Sequence, residues 1–388
     1  DVAVSDEGKI TSVVATDVID HSRIRVSGRL FADCTGDANL AVLAGAETHM
    51  GREAKSEYGE ASAPDVADTM TMGASLQWYC LEDSVARPFP DIDWGLKFDD
   101  ESCLNCFSGD WEQETGFTRD MVSEIEYIRD YGLRAIYSNW SYQKNHYPGK
   151  ERFAKATLKW VSALGGKRES YRVKGDYIIN QNDIENHIYH EDGTACITWS
   201  IDMHFPEPTN LSQFGEAFRS FAYHRGIVEP YPVPYRCLYS KNIGNLFFAG
   251  RNISVTHAAL SSSRVMATCS VLGQALGTAV AMAVNESVAV ENVDVTKLQQ
   301  VLLADDCFIP NVDRQVSALS LNAKCSDNIL CDGKERGEEN VWIGDKAEYV
   351  MDNPTEIKAV RLVFDSDLNR NYHNMPCCYP LVETKYKL

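Results

Sequence analysis

The sequence predicts an α/β fold that is interrupted by a second, α+β region. Two apolar strands, in "FADCTGDANLA" and "LFFAGRNIS", each end at a glycine, and a helix follows each of them. Residues 51–240, between the two units, are richer in Trp, Tyr and charged residues and mix strand and helix signals. After about residue 315, short strand and turn signals without a long helix are typical of an all-β sandwich.

The composition excludes some classes of function. The chain has 388 residues, a net charge of −19 and 44% hydrophobic residues, which suits two or three globular domains with a sizeable core. No basic stripe is visible that could neutralise phosphates, so a nucleic-acid partner is not expected. No run of about 18 apolar residues free of polar groups occurs, so no membrane span is expected.

The first strand–glycine–helix unit follows a β-rich start. Residues 1–31 predict a β-hairpin and a further strand, and residues 30–36 a strand that leads into a helix at residues 37–46. Asp37 is the expected N-cap of this helix and Gly45 its expected end. Because the sequence opens within a strand pattern and has no start methionine, we expect a fragment of a longer chain.

The later elements follow from periodicity. In the middle region, "QETGFTRDMVSEIEYIRDYGLRAIYSNW" predicts a helix, while "SYRVKGDYIIN" and "GTACITWSIDMHF" predict strands. Residues 245–249 predict a short buried strand that Gly250 ends. One long helix is expected from about residue 258 to 283, and "VTKLQQVLLADD" predicts another.

The twelve cysteines show no pattern of a disulfide framework or a zinc site. Several lie in apolar runs, where cysteine behaves as a small hydrophobic residue. Cys103 and Cys106 form the only C-x-x-C, with no second pair at zinc spacing. A loop is favoured over a metal or redox pair there, and no metal is expected.

Both strand–glycine–helix units suit a ligand. Such a turn directs backbone N–H groups and the positive end of a helix to one place, which favours a phosphate or another electron-rich group. Ligands of open α/β sheets lie at the carboxyl ends of strands. Two ordinary strand–helix connections are the alternative. Arg264 follows three serines in the first turns of the long helix and is either buried beside the ligand or a surface charge.

Two segments resemble a known family. "GRLFADCTGDANLAVLAGAETHMGRE" and "NLFFAGRNISVTHAALSSSRVMATCSVLGQALGTA" resemble the second and last flavin-contacting segments of FAD-dependent oxidoreductases with the glutathione-reductase-type fold. The nearest branch is the bacterial, heterodisulfide-reductase-like group, and the likeness covers about residues 1–310. The G-x-G-x-x-G fingerprint of the family would lie before residue 1. The cysteine clusters that hold iron–sulfur centres in some relatives do not occur in the sequence, so no such centre is expected.

The resemblance implies an architecture and a reaction. Residues 1–50 and 241–315 would form a Rossmann-like FAD-binding domain whose N-terminal part is missing, with a substrate domain inserted at residues 51–240. Residues 316–388 weakly resemble the start of a discoidin-like β-sandwich. The implied cofactor is non-covalent FAD, and the implied reaction is hydride transfer between flavin N5 and a small organic substrate. As a fragment, the chain is expected to be inactive alone.

The resemblance also implies cofactor contacts. They fall on the turns after the two strands and on the start of the long helix, where N–H groups would face the flavin pyrimidine carbonyl. The implied residues are Thr35, Gly36, Asp37, Gly250, Arg251, Asn252, Ala259, Leu260 and Ser261.

A further set of residues suits substrate chemistry. His257 is either an acid–base group at the isoalloxazine edge or a helix cap, and His204 ends a predicted strand. Histidine titrates near neutral pH, which favours these two. Arg168, Arg172 and Arg236 could each clamp an anionic substrate through bidentate contacts or form a structural ion pair.

A second class of function stays open. In this alternative the chain is a carbohydrate-associated binding or scaffold protein, in which a degenerate flavoprotein fold carries a glycan-binding sandwich. The expected partners are a small-molecule substrate and, through the C-terminal module, a glycan. The compartment is left open, because the glycan-type tail favours the periplasm or cell surface while twelve unpatterned cysteines favour the cytoplasm.

Overall fold

The computed structural model describes residues 1–226, 230–335 and 338–363. The chain is mixed α/β, and its strands are short. In chain order the strands are β1 (Val2–Val4), β2 (Ile10–Thr16), β3 (Arg23–Ser27), β4 (Phe31–Asp33), β5 (Thr48–His49), β6 (Ala74–Ser75), β7 (Trp78–Glu82), β8 (Ser108–Gly109), β9 (Glu114–Thr115), β10 (Ala156–Val161), β11 (Gly166–Lys167), β12 (Arg172–Val173), β13 (Gly193–Ile197), β14 (Ile201–Pro206), β15 (Ser220–Arg225), β16 (Tyr231–Pro234), β17 (Leu246–Phe248), β18 (Lys324–Cys325) and β19 (Tyr349–Val350).

The α-helices range from a single turn to 21 residues. In chain order they are α1 (Asn39–Leu43), α2 (Lys55–Tyr58), α3 (Ile125–Asn145), α4 (Gln181–Glu185), α5 (Pro208–Phe214), α6 (His257–Ser263), α7 (Met266–Glu286), α8 (Val295–Ala304) and α9 (Ala318–Leu321).

Strands β4 and β17 are parallel neighbours. Phe31 pairs with Leu246 and Asp33 with Phe248. Because both strands run in the same direction, the turns that follow them lie at the same edge of the pair. The largest apolar core surrounds this pair, and buried side chains of β13, β16, α6, α7 and α8 complete it.

Helix α1 begins later than the sequence predicts. Asp37 does not cap it: the N-cap is Ala38, whose φ of 55° is left-handed, and no side chain caps the helix there. The carboxylate of Asp33 accepts from Thr35 N and Ala41 N instead, at 3.0 and 2.9 Å. Asp37 is thereby free for contacts outside the helix, while Gly45 follows the helix end as expected.

The predicted long helix from residue 258 to 283 is wrong, because it is two helices. Helix α6 ends at Ser263, and Val265 adopts an extended conformation with φ −69° and ψ 148° before α7 begins. Every residue of α6 is buried, whereas Met266 at the start of α7 is 87% exposed. The break turns the chain from the interior to the surface and aims Arg264 at β14.

Two sheets of the middle region carry the side chains of interest. Strand β6 lies between β9 and β11 in an antiparallel sheet, and β14 pairs antiparallel with β15. The helix predicted around residues 113–140 begins only at Ile125, because Glu114 and Thr115 pair with β6 instead. Of "SYRVKGDYIIN", only Arg172 and Val173 are strand.

Helix α7 has the length and apolar composition to cross a membrane, and 39% of its apolar window is buried within the protein. It packs against β13, β17 and α8. The predicted lack of a membrane span stays a prediction.

The described part of the C-terminal segment contains α9 and the paired strands β18 and β19. A β-sandwich at residues 316–388 stays a prediction. The end of the discoidin-like stretch, with Cys377 and Cys378, lies outside the described residues.

Candidate functional site

Asp37 joins the two strand-end turns to the inserted region. Its Oδ1 accepts hydrogen bonds from Arg251 Nη2 at 2.6 Å and Ser170 Oγ at 2.7 Å, and its Oδ2 pairs with Lys167. Burial by itself raises the pKa of the Asp37 carboxyl, but the hydrogen bonds from Lys167 and Ser170 and the charge of Arg251 lower it below its ordinary value. The group is therefore ionised at neutral pH and connects three segments of the chain.

Glycines allow these turns to approach each other. Gly36 has a φ of +74° and Gly250 one of +108°, in the region that L side chains rarely adopt. A Cβ at Gly36 would lie 2.7 Å from Nη1 of Arg251. Glycine at this position thus lets the guanidinium reach Asp37.

The second turn contains buried polar atoms that no described residue satisfies. These are Nε of Arg251 and Oδ1 of Asn252, whereas Nδ2 of Asn252 donates to Asp33 O at 3.3 Å. Buried polar atoms are normally hydrogen-bonded. A donor and an acceptor are therefore available to a bound molecule at this turn. Thr35 is already engaged, since its Oγ1 donates to Asp33 and accepts from Asn39 N.

The start of α6 is capped by the protein itself. Thr256 Oγ1 accepts from Ala259 N at 3.2 Å, and the Glu53 carboxylate accepts from His257 N at 2.9 Å. Leu260 N donates to Thr256 O at 2.8 Å. The N–H groups of Ala259 and Leu260 thus have protein acceptors, and their contact with a flavin carbonyl stays a prediction.

The end of α6 contacts β14. Ser261 Oγ donates to Ala258 O at 2.6 Å and accepts from Asp202 N at 3.1 Å. Arg264 Nη2 donates to O and Oδ2 of Asp202, at 3.1 and 3.0 Å. The Arg264 side chain is only 11% exposed, so it is largely buried and is not a surface charge. Its Nε is buried without a hydrogen-bond partner among the described residues.

A first buried ionic cluster, the His257 cluster, consists of His257, Glu169, Arg172 and Glu53. Nδ1 of His257 lies 2.9 and 3.1 Å from the two carboxylate oxygens of Glu169. Arg172 Nη1 donates to Glu169, and its Nη2 pairs with Glu53 at 2.9 Å. Arg172 therefore forms a structural ion pair, which the sequence left as one of two alternatives.

A second buried ionic cluster, the His204 cluster, consists of His204, Glu114, Asp202 and Arg168. Nδ1 of His204 lies 2.7 Å from Glu114 Oε2, and Nε2 lies 3.3 Å from Asp202 Oδ1. Burial by itself lowers the pKa of His204, but Asp202 and Glu114 raise it above its ordinary value. Both ring nitrogens face protein carboxylates. His204 is therefore suited to holding these carboxylates and not to exchanging a proton with a substrate.

Arg168 links the two clusters along the chain. It lies 3.5 Å from Glu114, and its Nη1 donates to Ser75 Oγ at 2.7 Å. The next residue, Glu169, belongs to the His257 cluster. Of the four predicted catalytic residues, His204 and Arg168 thus share one cluster, and His257 lies in the adjoining one.

Arg236 is placed elsewhere. Its Nε and Nη2 donate to the two carboxylate oxygens of Asp192, at 2.9 and 3.1 Å, and its guanidinium lies over the Tyr177 ring. The side chain is 45% exposed, and none of these partners belongs to either cluster. Its bidentate contact is thus an ion pair with Asp192, which is one of the two alternatives that the sequence leaves open for Arg236.

The sequence-based candidates do not include the four carboxylates of the two clusters, which are all buried: Glu53, Glu114, Glu169 and Asp202. The sequence could have indicated one of them, Asp202. It lies two positions before His204 in a predicted strand, and such a spacing places both side chains on one face of the strand. Glu114 and Glu53 lie in short or irregular segments, where no periodicity indicates burial.

No group of three or more His, Cys, Asp or Glu residues that could hold a metal ion occurs in the part of the chain that the structure describes. Cys103 and Cys106 lie in a loop. Burial raises the pKa of the Cys103 thiol to about 12 and that of Cys106 to about 11. Protonated thiols are poor metal ligands and poor nucleophiles, so the loop interpretation is favoured.

A model of the family described as FAD dependent oxidoreductase matches residues 1–302 of the chain. No curated protein and no solved structure matches the chain. The matched range contains both strand-end turns, α6 and both ionic clusters.

Proposed function

This chain belongs to the FAD-dependent oxidoreductase family, and from this premise we propose that it transfers a hydride between N5 of its cofactor and a small organic substrate. The family match supports an oxidoreductase with FAD as cofactor, while the hydride step and the nature of the substrate are the proposal. When bound, FAD supplies the acceptor or donor of the two electrons.

The residues at the two strand-end turns fit FAD. Glycines at residues 36 and 250 permit close approach of the turns, and buried Arg251 Nε and Asn252 Oδ1 offer a donor and an acceptor that no described residue uses. The ribityl hydroxyls and the phosphates of FAD require both kinds of partner. We assign the holding of FAD to the turns at residues 35–37 and 250–252, with residues 259–261 and Arg264 as further contacts.

The substrate would bind where the two ionic clusters adjoin. Arg264 Nε is a buried donor without a partner among the described residues, and Arg168 pairs with Glu114 in the His204 cluster. Buried guanidinium groups favour an anionic substituent on the ligand. His204 holds Glu114 and Asp202, the carboxylates that pair with these two arginines, which fixes the walls of the site and limits the access of water.

The observation that carries the proposal is the parallel pairing of β4 with β17, which brings two distant turns to one edge. The His257 cluster adjoins the second turn, since Val173, next to Arg172, donates to Asn252 O at 3.0 Å. We assign the FAD-binding domain to residues 1–50 and 241–315, the substrate domain to residues 51–240 and a discoidin-like β-sandwich to residues 316–388. The heterodisulfide-reductase-like branch belongs to the same proposal. The glycan-binding scaffold alternative is not favoured, because the family match covers both turns and both clusters.

The test is the visible absorption spectrum of the protein expressed from its natural reading frame and purified without added cofactor. Peaks at about 370 and 450 nm, with FAD released on heating, are expected. R251Q should retain clearly less FAD, because Arg251 lies at the strand-end turn, whereas R236Q, an equivalent change at a surface ion pair, should retain as much as the wild type. A colourless protein that also fails to take up added FAD would overturn the proposal.

A further inference from the structure

We propose that His257 and Glu169 form a proton-transfer pair, in which Nε2 of His257 carries the proton and Glu169 is the positioning residue. This inference rests on the proposed function and names the group that handles the proton of the same reaction. Two observations support it: the hydrogen bonds between His257 and Glu169, and the lack of a hydrogen-bond partner for Nε2 of His257 among the described residues.

Glu169 fixes the tautomer of His257. Nδ1 lies within 3.1 Å of both carboxylate oxygens, and a carboxylate only accepts hydrogen bonds. The proton of the neutral imidazole must therefore be on Nδ1. This leaves a lone pair on Nε2 when the ring is neutral, and a second N–H when it is charged.

Glu169 is itself held in place. Its side chain is fully buried, Met72 N donates to Oε2 at 2.8 Å, and Arg172 donates to Oε1. Burial by itself raises the pKa of the Glu169 carboxyl, but the charges of His257 and Arg172 lower it below its ordinary value. A carboxylate held by three donors neither rotates freely nor competes for the proton.

Nε2 of His257 is the ring nitrogen available for chemistry. The His257 side chain is 4% exposed, and Nε2 has no hydrogen-bond partner among the described residues. His204, by contrast, has both ring nitrogens against carboxylates. His257 also differs from His204 in its place in the fold. It is the first residue of α6, a few residues after the strand-end turn at residues 250–252.

The charged groups that face His257 come from several elements. They are Glu169 against the ring, Glu53 at its backbone N–H, Arg172 between these two carboxylates, and Glu60 and Asp68 at longer range. Asp68 is itself paired with Arg52, so four carboxylates face two arginines and the surroundings of the ring carry a net negative charge.

The proposed step oxidises a substrate with an H–C–X–H group, where X is oxygen or nitrogen. The C–H bond breaks and its two electrons leave with the hydride, for which the flavin of the proposed function is the acceptor. The X–H bond breaks and its proton goes to Nε2 of His257, while the X electron pair forms the C=X bond. The imidazolium so formed is paired with Glu169, and the reverse direction returns the proton.

The first test measures the reduction potential of bound FAD against pH for the wild type, H257Q, E169Q and E60Q. In the wild type we expect an additional proton to be taken up on reduction across one range of pH. H257Q should lose this uptake. E169Q should shift it to lower pH, because the change removes the negative charge beside Nδ1. E60Q is the matched control: it removes a carboxylate charge at longer range and keeps both hydrogen bonds accepted by Oε1, so it should shift the uptake clearly less than E169Q does.

The second test is a ¹⁵N spectrum of the histidine rings in the holoprotein, with His257 assigned by its loss in H257Q. The expected signal is an Nδ1–H tautomer, and E169Q should abolish its preference. If E169Q fails to fold, the wild type and H257Q are sufficient for this measurement. FAD uptake with identical potential curves for wild type and H257Q, or an Nε2–H tautomer, would overturn the inference alone. Failure to bind FAD would overturn the proposed function and this inference with it.

Discussion

Asp37 and Arg251 are 214 positions apart in the sequence, yet Oδ1 of one accepts a hydrogen bond from Nη2 of the other at 2.6 Å. The pair joins the turns after β4 and β17. Lys167 and Ser170 bring the inserted region to the same carboxylate. One side chain thus couples the expected cofactor turns to the region expected to bind substrate.

We predict that D37N destabilises the protein strongly. The change removes the charge between Lys167 and Arg251 and leaves two largely buried cations without a partner, which should lower the free energy of unfolding by about 2–4 kcal/mol. Urea denaturation at neutral pH measures this. D83N removes a partly exposed carboxylate that pairs with the exposed Arg87 and serves as the control, with a much smaller loss expected. Equal losses for both variants would contradict the role of Asp37.

A pair of glycine substitutions separates backbone strain from crowding. Gly36 and Gly45 have the same φ of +74°, but a Cβ at Gly45 meets nothing within 4 Å, whereas one at Gly36 meets the Arg251 guanidinium. G45A should cost about 1–2 kcal/mol of stability from strain alone. G36A should cost a further 1–3 kcal/mol or so from the displaced guanidinium, and should also weaken FAD retention. Thermal unfolding and FAD content measure the two effects, and equal behaviour of the variants would contradict the close approach.

The stability contributed by His204 should depend on pH. Its pKa is raised in the folded protein, chiefly by Asp202 and Glu114 against the effect of burial. Its contribution is therefore fully present below the ordinary histidine pKa of about 6.5 and is lost as pH rises through the higher folded value. The difference in unfolding free energy between wild type and H204Q should be largest near pH 5.5 and shrink by about pH 8.5. Burial by itself raises the pKa of Asp202, but His204, Arg264 and His224 lower it to about 2. The charge of Asp202 is therefore constant between about pH 5.5 and 8.5.

H146Q is the control for that experiment, since His146 forms an exposed pair with Asp91 at 2.8 Å. H146Q should change the unfolding free energy only slightly, both near pH 5.5 and at about pH 8.5. A wild type to H204Q difference that grows with pH would show that the imidazole is held neutral.

The C-x-x-C thiols should be unreactive in the folded protein. Burial raises the pKa of Cys103 to about 12 and of Cys106 to about 11, so little thiolate is present at pH 8. Iodoacetamide should modify both at least about tenfold more slowly than in urea. Mass spectrometry of timed samples measures this, with exposed Cys34 as an internal reference. Rapid modification of Cys103 and Cys106 in the folded protein would contradict this prediction and favour a redox role for the pair.

The sequence predicts the local features of this fold better than it predicts contacts between distant residues. The strands at β4 and β17 and the glycines that end them are local features, and they are where the sequence indicates. The sequence does not indicate the helix break at Val265, because "SSSRVMAT" contains neither proline nor glycine. The break coincides with the ion pair between Arg264 and Asp202. Tertiary contacts therefore override helical periodicity there.

The ionic clusters show the same limit. Both ring nitrogens of His204 are fixed by Glu114 and Asp202, and Glu114 is 90 positions away in the chain. Whether a carboxylate is buried depends on the partners that fold against it, and these partners have no local signature. His257 and His204 could thus be selected by residue type, but their different roles follow only from their partners.

The parallel pairing of β4 with β17 has a consequence for the order of events during synthesis. At the usual 5–20 residues per second, the ribosome adds Arg251 roughly 10–40 s after Asp37. Lys167 and Ser170 are made in between, so Asp37 can engage the inserted region before its partner at the second turn exists. With the FAD site assigned to both turns as proposed above, cofactor capture would be a late step, and we expect a nascent chain stalled before β17 to hold no flavin.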